Sequence, residues 1–124
     1  MIELEPIGTA HTPFETTSEA PRQGTNESAT GTIVIDAEYE EGIDGIHPGD
    51  ELVVIWFADE ADRSLLRVDR KGGVGVFSSR SPARPNPICL TTCTVESVED
   101  GALTVTGVDM RDGSPVLDLK PTLD

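Results

Sequence analysis

The apolar segments of this chain are short, and this feature constrains its fold more than any other. They are rich in Val, Ile and Thr and end at glycine, proline or an Asp-Gly pair. Such segments favour β structure, and no long amphipathic helix is visible. Strands are expected near residues 2–10, 31–37, 51–57, 73–78, 88–98, 102–109 and 116–119. Seven short strands in a small protein predict a closed or nearly closed barrel, because closure removes strand edges that would otherwise aggregate.

The connections between these segments also carry signals. Residues 95–105 are the clearest hairpin, since Asp100-Gly101 supplies the two positive-φ residues of a type I′ turn between alternating strands. Residues 59–68 are consistent with one or two helical turns, and residues 11–29 are expected to form a long N-terminal loop. Loops of that length are usually functional or disordered. The expected fold is therefore mainly all-β, with one small barrel domain over residues 1–124 and at most one or two short helical turns.

The formal net charge of −14 is distributed unevenly along the chain. Residues 1–62 contain fifteen acidic residues and one cation, Arg22, whereas residues 63–124 contain eight of each sign. Six cations between residues 63 and 84 stand against Asp69 alone, so this stretch is either a plain loop or an anion-binding face. Lysine is nearly absent, as is typical of a halophile-like acidic composition. Because molar salt shortens the Debye length to about 3 Å, the acidic total does not exclude a nucleic-acid partner.

Several kinds of site can be set aside. The glycines of residues 72–75 do not lie between a strand and a helix, as a dinucleotide site requires. Two histidines and separated cysteines do not make a conventional zinc site, so no metal is expected. Cys89 and Cys93 would lie roughly 13 Å apart on one strand, too far for a disulfide, and are expected to be small buried residues. The lack of a long apolar run or signal peptide predicts a cytoplasmic protein.

Residues 75–88 carry the most functional information, with the sequence GVFSSRSPARPNPI. Each proline fixes its own φ and pushes the preceding residue toward extended geometry, so Ser81, Arg84 and Asn86 are pre-organised. An asparagine can read an adenine edge in two-point fashion, and arginines pair bidentately with carboxylates or phosphates. The stretch therefore predicts ligand binding.

Four segments, taken in order, match one family. They are PIGT with TPF in residues 6–14, PRQG in residues 21–24, the stretch 75–88, and GVDMRDGSPVLDLKP in residues 107–121. Together they closely resemble the TsaA-like family, which includes the TrmO tRNA methyltransferases, and the resemblance covers nearly the whole chain. It implies a single β-barrel that binds S-adenosyl-L-methionine (AdoMet) near a homodimer interface. It also implies methyl transfer to N6 of threonylcarbamoyladenosine at position 37 of certain tRNAs.

The resemblance and the charge pattern together give candidate site residues. By position in the matched motifs, the cofactor-binding candidates are Pro21, Arg22, Gln23, Arg80, Leu90, Gly107, Val108 and Asp109. Asp109 and Asp112 are catalytic candidates with orienting roles, although both also suit tight turns. The candidate substrate or RNA-binding residues are Arg67, Arg70, Lys71, Arg84, Asn86 and Lys120. Lys120 alternates with Leu119 on a strand, so a simple surface ion pair with Asp118 is the alternative.

Methyl transfer needs a nucleophile aligned behind the sulfonium carbon, and holding the two reactants at attack distance supplies much of the acceleration. The N6–H of a carbamoylated adenosine is more acidic than that of adenosine, so a strong general base is not obligatory and none is assigned. Two histidines common in the family are replaced, with Ala58 at one of these positions. An AdoMet-binding module without methyltransferase activity, or a methyltransferase with another acceptor, therefore remains open.

Overall fold

Six antiparallel strands close into a barrel in the computed structural model, which describes residues 1–15, 29–69 and 72–123. The strands are β1 (Gly8–His11), β2 (Thr30–Ile35), β3 (Glu51–Phe57), β4 (Arg67–Val68), β5 (Val74–Gly75), β6 (Ile88–Glu99), β7 (Ala102–Thr106) and β8 (Ser114–Pro121). The barrel order is β1-β2-β7-β6-β3-β8, and β4 and β5 form a separate two-stranded sheet. Two 3-10 helices, Ala37–Ile43 and Val76–Ser78, complete the described elements. The mainly all-β barrel expected from the sequence is confirmed.

Alternation along the strands fills the barrel with apolar side chains. In β3, Leu52, Val54 and Trp56 are buried, and the intervening residues are more exposed. β7 contributes Leu103 and Val105, neither of which reaches solvent. Because successive side chains of a strand point to opposite faces, this period of two sends one set inward and leaves the other on the outer surface.

Closure depends on a close approach between β1 and its neighbours. Gly8 pairs with Ile35 of β2 on one side and with Val116 of β8 on the other. A β-carbon at Gly8 would collide with the carbonyl oxygen of Val34, so only glycine fits there without displacing β2.

The hairpin between β6 and β7 turns where the sequence predicts. Asp100 and Gly101 have φ angles of 48° and 77°, the two positive values that a type I′ turn requires. Glu99 and Ala102 pair directly across it. The register shifts between Val95 and Ser97, where a β-bulge accommodates one extra residue. The hairpin prediction is confirmed.

Other local predictions were wrong in extent or type. β1 begins at Gly8 because residues 2–6 have no strand partner among the described residues. The predicted strand over residues 73–78 is only Val74–Gly75, followed by a 3-10 helix. Residues 59–66 contain no helix; instead the Asp62 carboxylate accepts hydrogen bonds from the backbone and hydroxyl of Ser64, an Asx turn that competes with helix formation. The 3-10 helix Ala37–Ile43 was not predicted.

The strand directions place the connections at two ends of the barrel. Because every neighbouring pair is antiparallel, the connections β1–β2 (residues 12–29), β3–β6 (58–87) and β7–β8 (107–113) leave the barrel at one end, called here the upper end. The connections β2–β3 (36–50) and β6–β7 (100–101) lie at the opposite, lower end. No helix of the described ranges is long and apolar enough to cross a membrane.

Candidate functional site

The upper end gathers most of the residues predicted to bind cofactor or RNA. The connection β3–β6 carries Arg67, Arg80, Arg84 and Asn86, and the connection β7–β8 carries Gly107, Val108, Asp109 and Asp112. Leu90 lies two residues into β6 from the same end. Lys120 is the exception, since it lies near the lower end of β8. Pro21, Arg22, Gln23, Arg70 and Lys71 fall outside the described residues.

Leu90 and Thr91, adjacent on β6, connect the two flanking segments of this site. The Arg80 guanidinium donates from Nη2 to the carbonyl oxygen of Leu90 at 3.4 Å. The Thr91 hydroxyl donates to Oδ1 of Asp109 at 2.5 Å. Because neighbouring residues of a strand face opposite sides, Leu90 is 42 % exposed on the outer surface and Thr91 is buried inside. Two of the predicted cofactor residues, Arg80 and Asp109, therefore attach to adjacent residues of one strand, Arg80 at the Leu90 carbonyl and Asp109 at the Thr91 hydroxyl inside the barrel.

A buried hydrogen-bond chain links β3, β6 and the segment after β7. Trp56 Nε1–H donates to Thr91 Oγ1 at 3.0 Å, and Thr91 in turn donates to Asp109. The indole nitrogen can only donate, so the threonine oxygen accepts from it and the threonine hydroxyl donates its own hydrogen to the carboxylate. Asp109 is 7 % exposed and Thr91 is 2 % exposed. This chain fixes the direction of each hydrogen bond and anchors the backbone at Asp109 against the inner wall of the barrel.

Gly107 and Val108 attach the β7–β8 connection to the start of β2. Their backbone N–H groups both donate to the carbonyl oxygen of Ala29, at 2.8 and 3.3 Å. Gly107 has a φ of 97°, and a β-carbon there would lie 3.2 Å from the Thr92 carbonyl oxygen, so glycine permits both the turn and its approach to β6. The Val108 side chain is fully buried. Of the predicted cofactor residues, Val108 therefore offers its backbone rather than its side chain.

Asp112 holds the other side of the same connection to the segment that follows β1. Its Oδ1 accepts the Thr12 backbone N–H at 3.0 Å and lies 3.5 Å from Nδ1 of His11. Its own N–H donates to the Phe14 carbonyl oxygen at 2.6 Å. Phe14, before segment 16–28, and Ala29, after it, are thus both bonded to the β7–β8 connection. Asp112 consequently has a structural role: its carboxylate accepts a backbone N–H, as aspartates in turns commonly do.

The outer surface beside Leu90 contains two residues that sequence reasoning did not propose. Ile55 of β3 pairs with Leu90 on one side and with Asp118 of β8 on the other. Directly paired antiparallel residues share a face, so these three side chains form one outward row across three strands. Because β3 is apolar from Leu52 to Phe57, its sequence does not indicate that Ile55 faces outward, and it carries no signal for the register with β8. The Lys120 ammonium lies 3.9 Å from an Asp118 carboxylate oxygen, the surface pair expected as the alternative.

Two arginines of the β3–β6 connection brace the proline-rich stretch. Arg84 donates to the carbonyl oxygens of Val76, Ser79 and Ser81 at 2.8, 3.1 and 3.3 Å. Arg63 donates to the Pro85 carbonyl oxygen at 2.8 Å and to Oδ1 of Asn86 at 3.3 Å, and its guanidinium lies 5.6 Å from the Phe57 ring centroid. The stretch is therefore held rigid by its arginines as well as by its prolines.

The arginines of the upper end differ in their negative partners. Arg111 of the β7–β8 connection lies 3.1 Å from an Asp59 carboxylate oxygen and 3.5 Å from one of Glu60. Arg67 donates to the Gly73 carbonyl oxygen at 3.2 Å. No carboxylate of residues 1–15, 29–69 or 72–123 lies within 4.0 Å of Arg63, Arg67, Arg80 or Arg84. At the lower end, residues 36–50 carry six acidic residues and neither lysine nor arginine. The upper end carries both signs of charge, whereas residues 36–50 at the lower end are acidic alone. An anionic ligand is therefore favoured beside the upper-end arginines of the β3–β6 connection.

The two cysteines lie in the same part of the interior and are unreactive in character. Both are free and buried, as the sequence predicts. Burial, with a smaller effect of the Asp109 charge, raises the pKa of the Cys89 thiol to about 11 and that of Cys93 to about 12. Within the described residues, no three His, Cys, Asp or Glu side chains cluster as a metal site would require.

Comparisons with known proteins place this geometry in a family. Residues 9–124 match the family of the tRNA-methyltransferase O N-terminal domain. A protein of Halobacterium salinarum, described as a probable S-adenosyl-L-methionine-binding protein, is 51 % identical over 121 residues, covering 96 % of this chain and 97 % of that protein. An S-adenosyl-L-methionine-binding protein of Archaeoglobus fulgidus is 42 % identical over 120 residues, covering 94 % and 86 %.

Two further matches involve named methyltransferases. A mouse tRNA (adenine(37)-N6)-methyltransferase is 64 % identical over 47 residues, which are 38 % of this chain and 11 % of that protein. The crystal structure of TrmO from Pseudomonas aeruginosa superposes with a TM-score of 0.83 at 28 % identity, covering 99 % of this chain. The match spans 56 % of that solved chain, little more than half of its length.

The barrel is thus that of a TrmO-type methyltransferase domain. The chain belongs to the family of the tRNA-methyltransferase O N-terminal domain. The family resemblance read from the sequence is confirmed, and so is the methyltransferase class. AdoMet, the cofactor expected from the sequence, is also the ligand in the names of the archaeal relatives.

Proposed function

We propose that this protein transfers a methyl group from AdoMet to N6 of threonylcarbamoyladenosine at position 37 of tRNA. The observation that carries the proposal is that two of the cofactor candidates, Arg80 and Asp109, attach to adjacent residues of β6, Leu90 and Thr91. Both candidates were chosen from sequence motifs. Arg80 is ten residues before Leu90 and Asp109 is eighteen residues after Thr91, so these contacts form only in the folded barrel. The mouse relative is named as an adenine-37 N6-methyltransferase, which supports the same nucleotide and atom here.

The residues present suit AdoMet, which supplies an electrophilic methyl group on a sulfonium when bound. Leu90 and Ile55 give the outer surface an apolar patch for the flat adenine or the methylene carbons. Arg80 at its margin offers a guanidinium to the amino-acid carboxylate, and Asp118 offers a carboxylate to cationic or hydroxyl groups. Phe14 and Ala29, which precede and follow segment 16–28, both bond to the β7–β8 connection, and this is consistent with a cofactor role for Pro21, Arg22 and Gln23.

The two aspartates act by holding the site together. The Asp109 carboxylate accepts the Thr91 hydroxyl inside the barrel, and Asp112 accepts the Thr12 N–H. Both therefore position the Gly107–Asp112 backbone that flanks the proposed cofactor surface. Since the acceptor N6–H is acidified by its carbamoyl group, alignment of nucleophile and methyl carbon is the main task left to the protein.

The charge distribution supports tRNA as the partner. The arginines at the upper end attract phosphates, and the acidic lower end repels them, so the polyanion is directed to the side that carries the cofactor surface. We propose a cytoplasmic homodimer, with the exposed apolar residues Ile88 and Leu90 of β6 supporting a covered outer face. Sedimentation equilibrium decides the dimer, because a monomer at micromolar concentration would contradict it.

The second candidate is an AdoMet-binding module that performs no transfer. The archaeal relatives are named for binding AdoMet and not for a reaction, and this favours the alternative. The replacement of a common family histidine by Ala58 favours it as well. An acceptor other than threonylcarbamoyladenosine is the third possibility, and nucleoside mass spectrometry distinguishes it.

The test combines binding and transfer on matched arginine variants. AdoMet affinity is measured by calorimetry on the wild type, Arg80→Ala and Arg67→Ala, in buffer of about 1 M potassium chloride to screen the acidic surface. Because Arg80→Ala removes a charge-assisted hydrogen bond, its AdoMet affinity should fall by about tenfold or more. Arg67→Ala should keep its AdoMet affinity and bind tRNA less tightly.

Transfer is then measured on tRNA carrying threonylcarbamoyladenosine and on the same tRNA made as an unmodified transcript. Methylation of the modified tRNA alone supports the proposal. AdoMet binding without methylation of either tRNA supports the binding module. Methylation of both, or of another nucleoside, assigns a different acceptor, and absence of AdoMet binding contradicts all three.

A further inference from the structure

Phe77 is a large aromatic side chain held in solvent on a rigid support. It is 77 % exposed in the middle of the 3-10 helix Val76–Ser78. The preceding residue, Val76, is fully buried, and its N–H donates to the Leu66 carbonyl oxygen at 2.9 Å. The Ser79 N–H then closes the turn on the Val76 carbonyl oxygen at 3.0 Å. The backbone that presents the ring is therefore fixed on both sides.

One side of the ring is occupied by a fixed cation. The Arg84 guanidinium carbon lies 6.0 Å from the centroid of the Phe77 ring, within the range of a cation–π contact. The same guanidinium donates to the carbonyl oxygens of Val76, Ser79 and Ser81, so it cannot move away without losing them. The high exposure of Phe77 leaves the rest of the ring open to solvent.

Further positive charge surrounds this ring along the chain. Arg67 belongs to β4, where it pairs with Gly75, two residues before Phe77. Arg80 follows three residues after it. Single-stranded nucleic acids are bound by this combination, in which cations contact phosphates while exposed aromatic rings stack on unpaired bases.

We propose that Phe77 is a stacking platform for an unpaired nucleobase of the RNA substrate. The inference rests on the proposed RNA-modifying function and names the residue that contacts a base. A second copy of the chain is the competing occupant for an exposed phenylalanine. A two-fold contact centred on this patch would, however, bring the arginines beside Phe77 of the two copies face to face with like charge. The patch is therefore better matched to a polyanion that carries aromatic bases.

The test compares Phe77→Leu with Phe77→Trp as the conservative control. The probe is an anticodon stem-loop RNA with 2-aminopurine in its loop, whose fluorescence falls when the base stacks. Because stacking on an aromatic side chain contributes about 1–3 kcal/mol per base, Phe77→Leu should weaken RNA binding by about five- to 150-fold. Phe77→Trp should restore the affinity and the quenching.

Salt dependence separates stacking from charge. Between about 0.1 and 1 M salt, Phe77→Leu should keep the wild-type slope of log affinity against log salt, because it removes no phosphate contact. Arg67→Gln should reduce that slope by roughly one unit. A reduced slope in Phe77→Leu would overturn the stacking role.

The remaining outcomes are equally decisive. Unchanged RNA affinity in Phe77→Leu, with normal binding by the wild type, overturns the platform and leaves the proposed function standing. A wild-type protein that binds no tRNA overturns both. Weaker AdoMet binding in Phe77→Leu would assign the ring to the cofactor, and a change in sedimentation mass would assign it to a second copy of the chain.

Discussion

Replacing Thr91 by valine tests the buried hydrogen-bond chain directly, because it removes one hydroxyl and keeps the branched shape of the side chain. Trp56 Nε1–H loses its acceptor at 3.0 Å, and Asp109 loses its donor at 2.5 Å. All three groups are buried, so water cannot replace the hydroxyl without opening the barrel wall. The substitution therefore leaves a buried donor unsatisfied and a buried carboxylate short of one partner.

The magnitude follows from these two losses. A buried donor left without a partner costs about 1–3 kcal/mol, and a hydrogen bond to a charged group contributes about 1.5–3 kcal/mol. Asp109 keeps further interactions, so the second loss is partial. The free energy of unfolding of Thr91→Val should therefore fall by about 2–4 kcal/mol. For a protein of this size, Tm should fall by roughly 10 °C.

The assay is equilibrium unfolding in denaturant, with Thr91→Ser as the matched control. Serine keeps the hydroxyl and removes one methyl group, which should cost about 1 kcal/mol. The reasoning is refuted if Thr91→Val is as stable as the wild type, or more stable than Thr91→Ser. A parallel AdoMet titration on folded protein should show weaker binding in Thr91→Val than in Thr91→Ser, since only valine releases the anchor at Asp109.

Three further outcomes are expected. Gly107→Ala should lower the free energy of unfolding by at least about 1 kcal/mol, because alanine is strained at a φ of 97° and its β-carbon would crowd the Thr92 carbonyl oxygen. Denaturant unfolding measures this loss, and equal stability would contradict it. Cys89 and Cys93 should resist iodoacetamide at pH 8 until the protein unfolds. Because both thiol pKa values are raised in the folded protein, the unfolded state loses these protons at lower pH. The free energy of unfolding should therefore fall from about pH 9 toward pH 11, and a value that does not change over this range would contradict the burial of the thiols. Arg84→Met should speed hydrogen exchange in residues 76–81 while the barrel strands exchange as before, and uniform exchange across the chain would contradict its bracing role.

The sequence by itself determined the class of fold. Alternation of apolar and polar residues specifies which face of β7 is buried, because successive side chains of a strand point in opposite directions. Asp100-Gly101 specifies the tight hairpin, because few other pairs adopt two positive φ angles at low cost. These signals are local: each depends only on residues close together in the sequence, so it can be interpreted without the rest of the chain. The motif resemblance then supplied the family and most of the candidate residues.

Local signals failed where several structures compete over a short range. Residues 59–66 have enough polar and aliphatic residues for a helical turn, but Asp62 binds the Ser64 backbone and forms an Asx turn instead. Residues 37–43 form a 3-10 helix with no buried residue, so the sequence has no apolar periodicity there that would predict a helix. The strand expected over residues 73–78 ends early because Val76 turns inward to the core.

Only the tertiary structure decided how the candidate residues combine. The closure of β1 on β8 brings Thr12 to Asp112, one hundred residues away in the chain, and the pairing of β3 with both β6 and β8 creates the outward row of Leu90, Ile55 and Asp118. Sequence suggested Arg84 as an RNA-binding residue, and the structure shows its guanidinium donating to three carbonyl oxygens of its own connection. The reason is that strand order and register depend on contacts between distant residues, which the periodicity of any single segment does not encode.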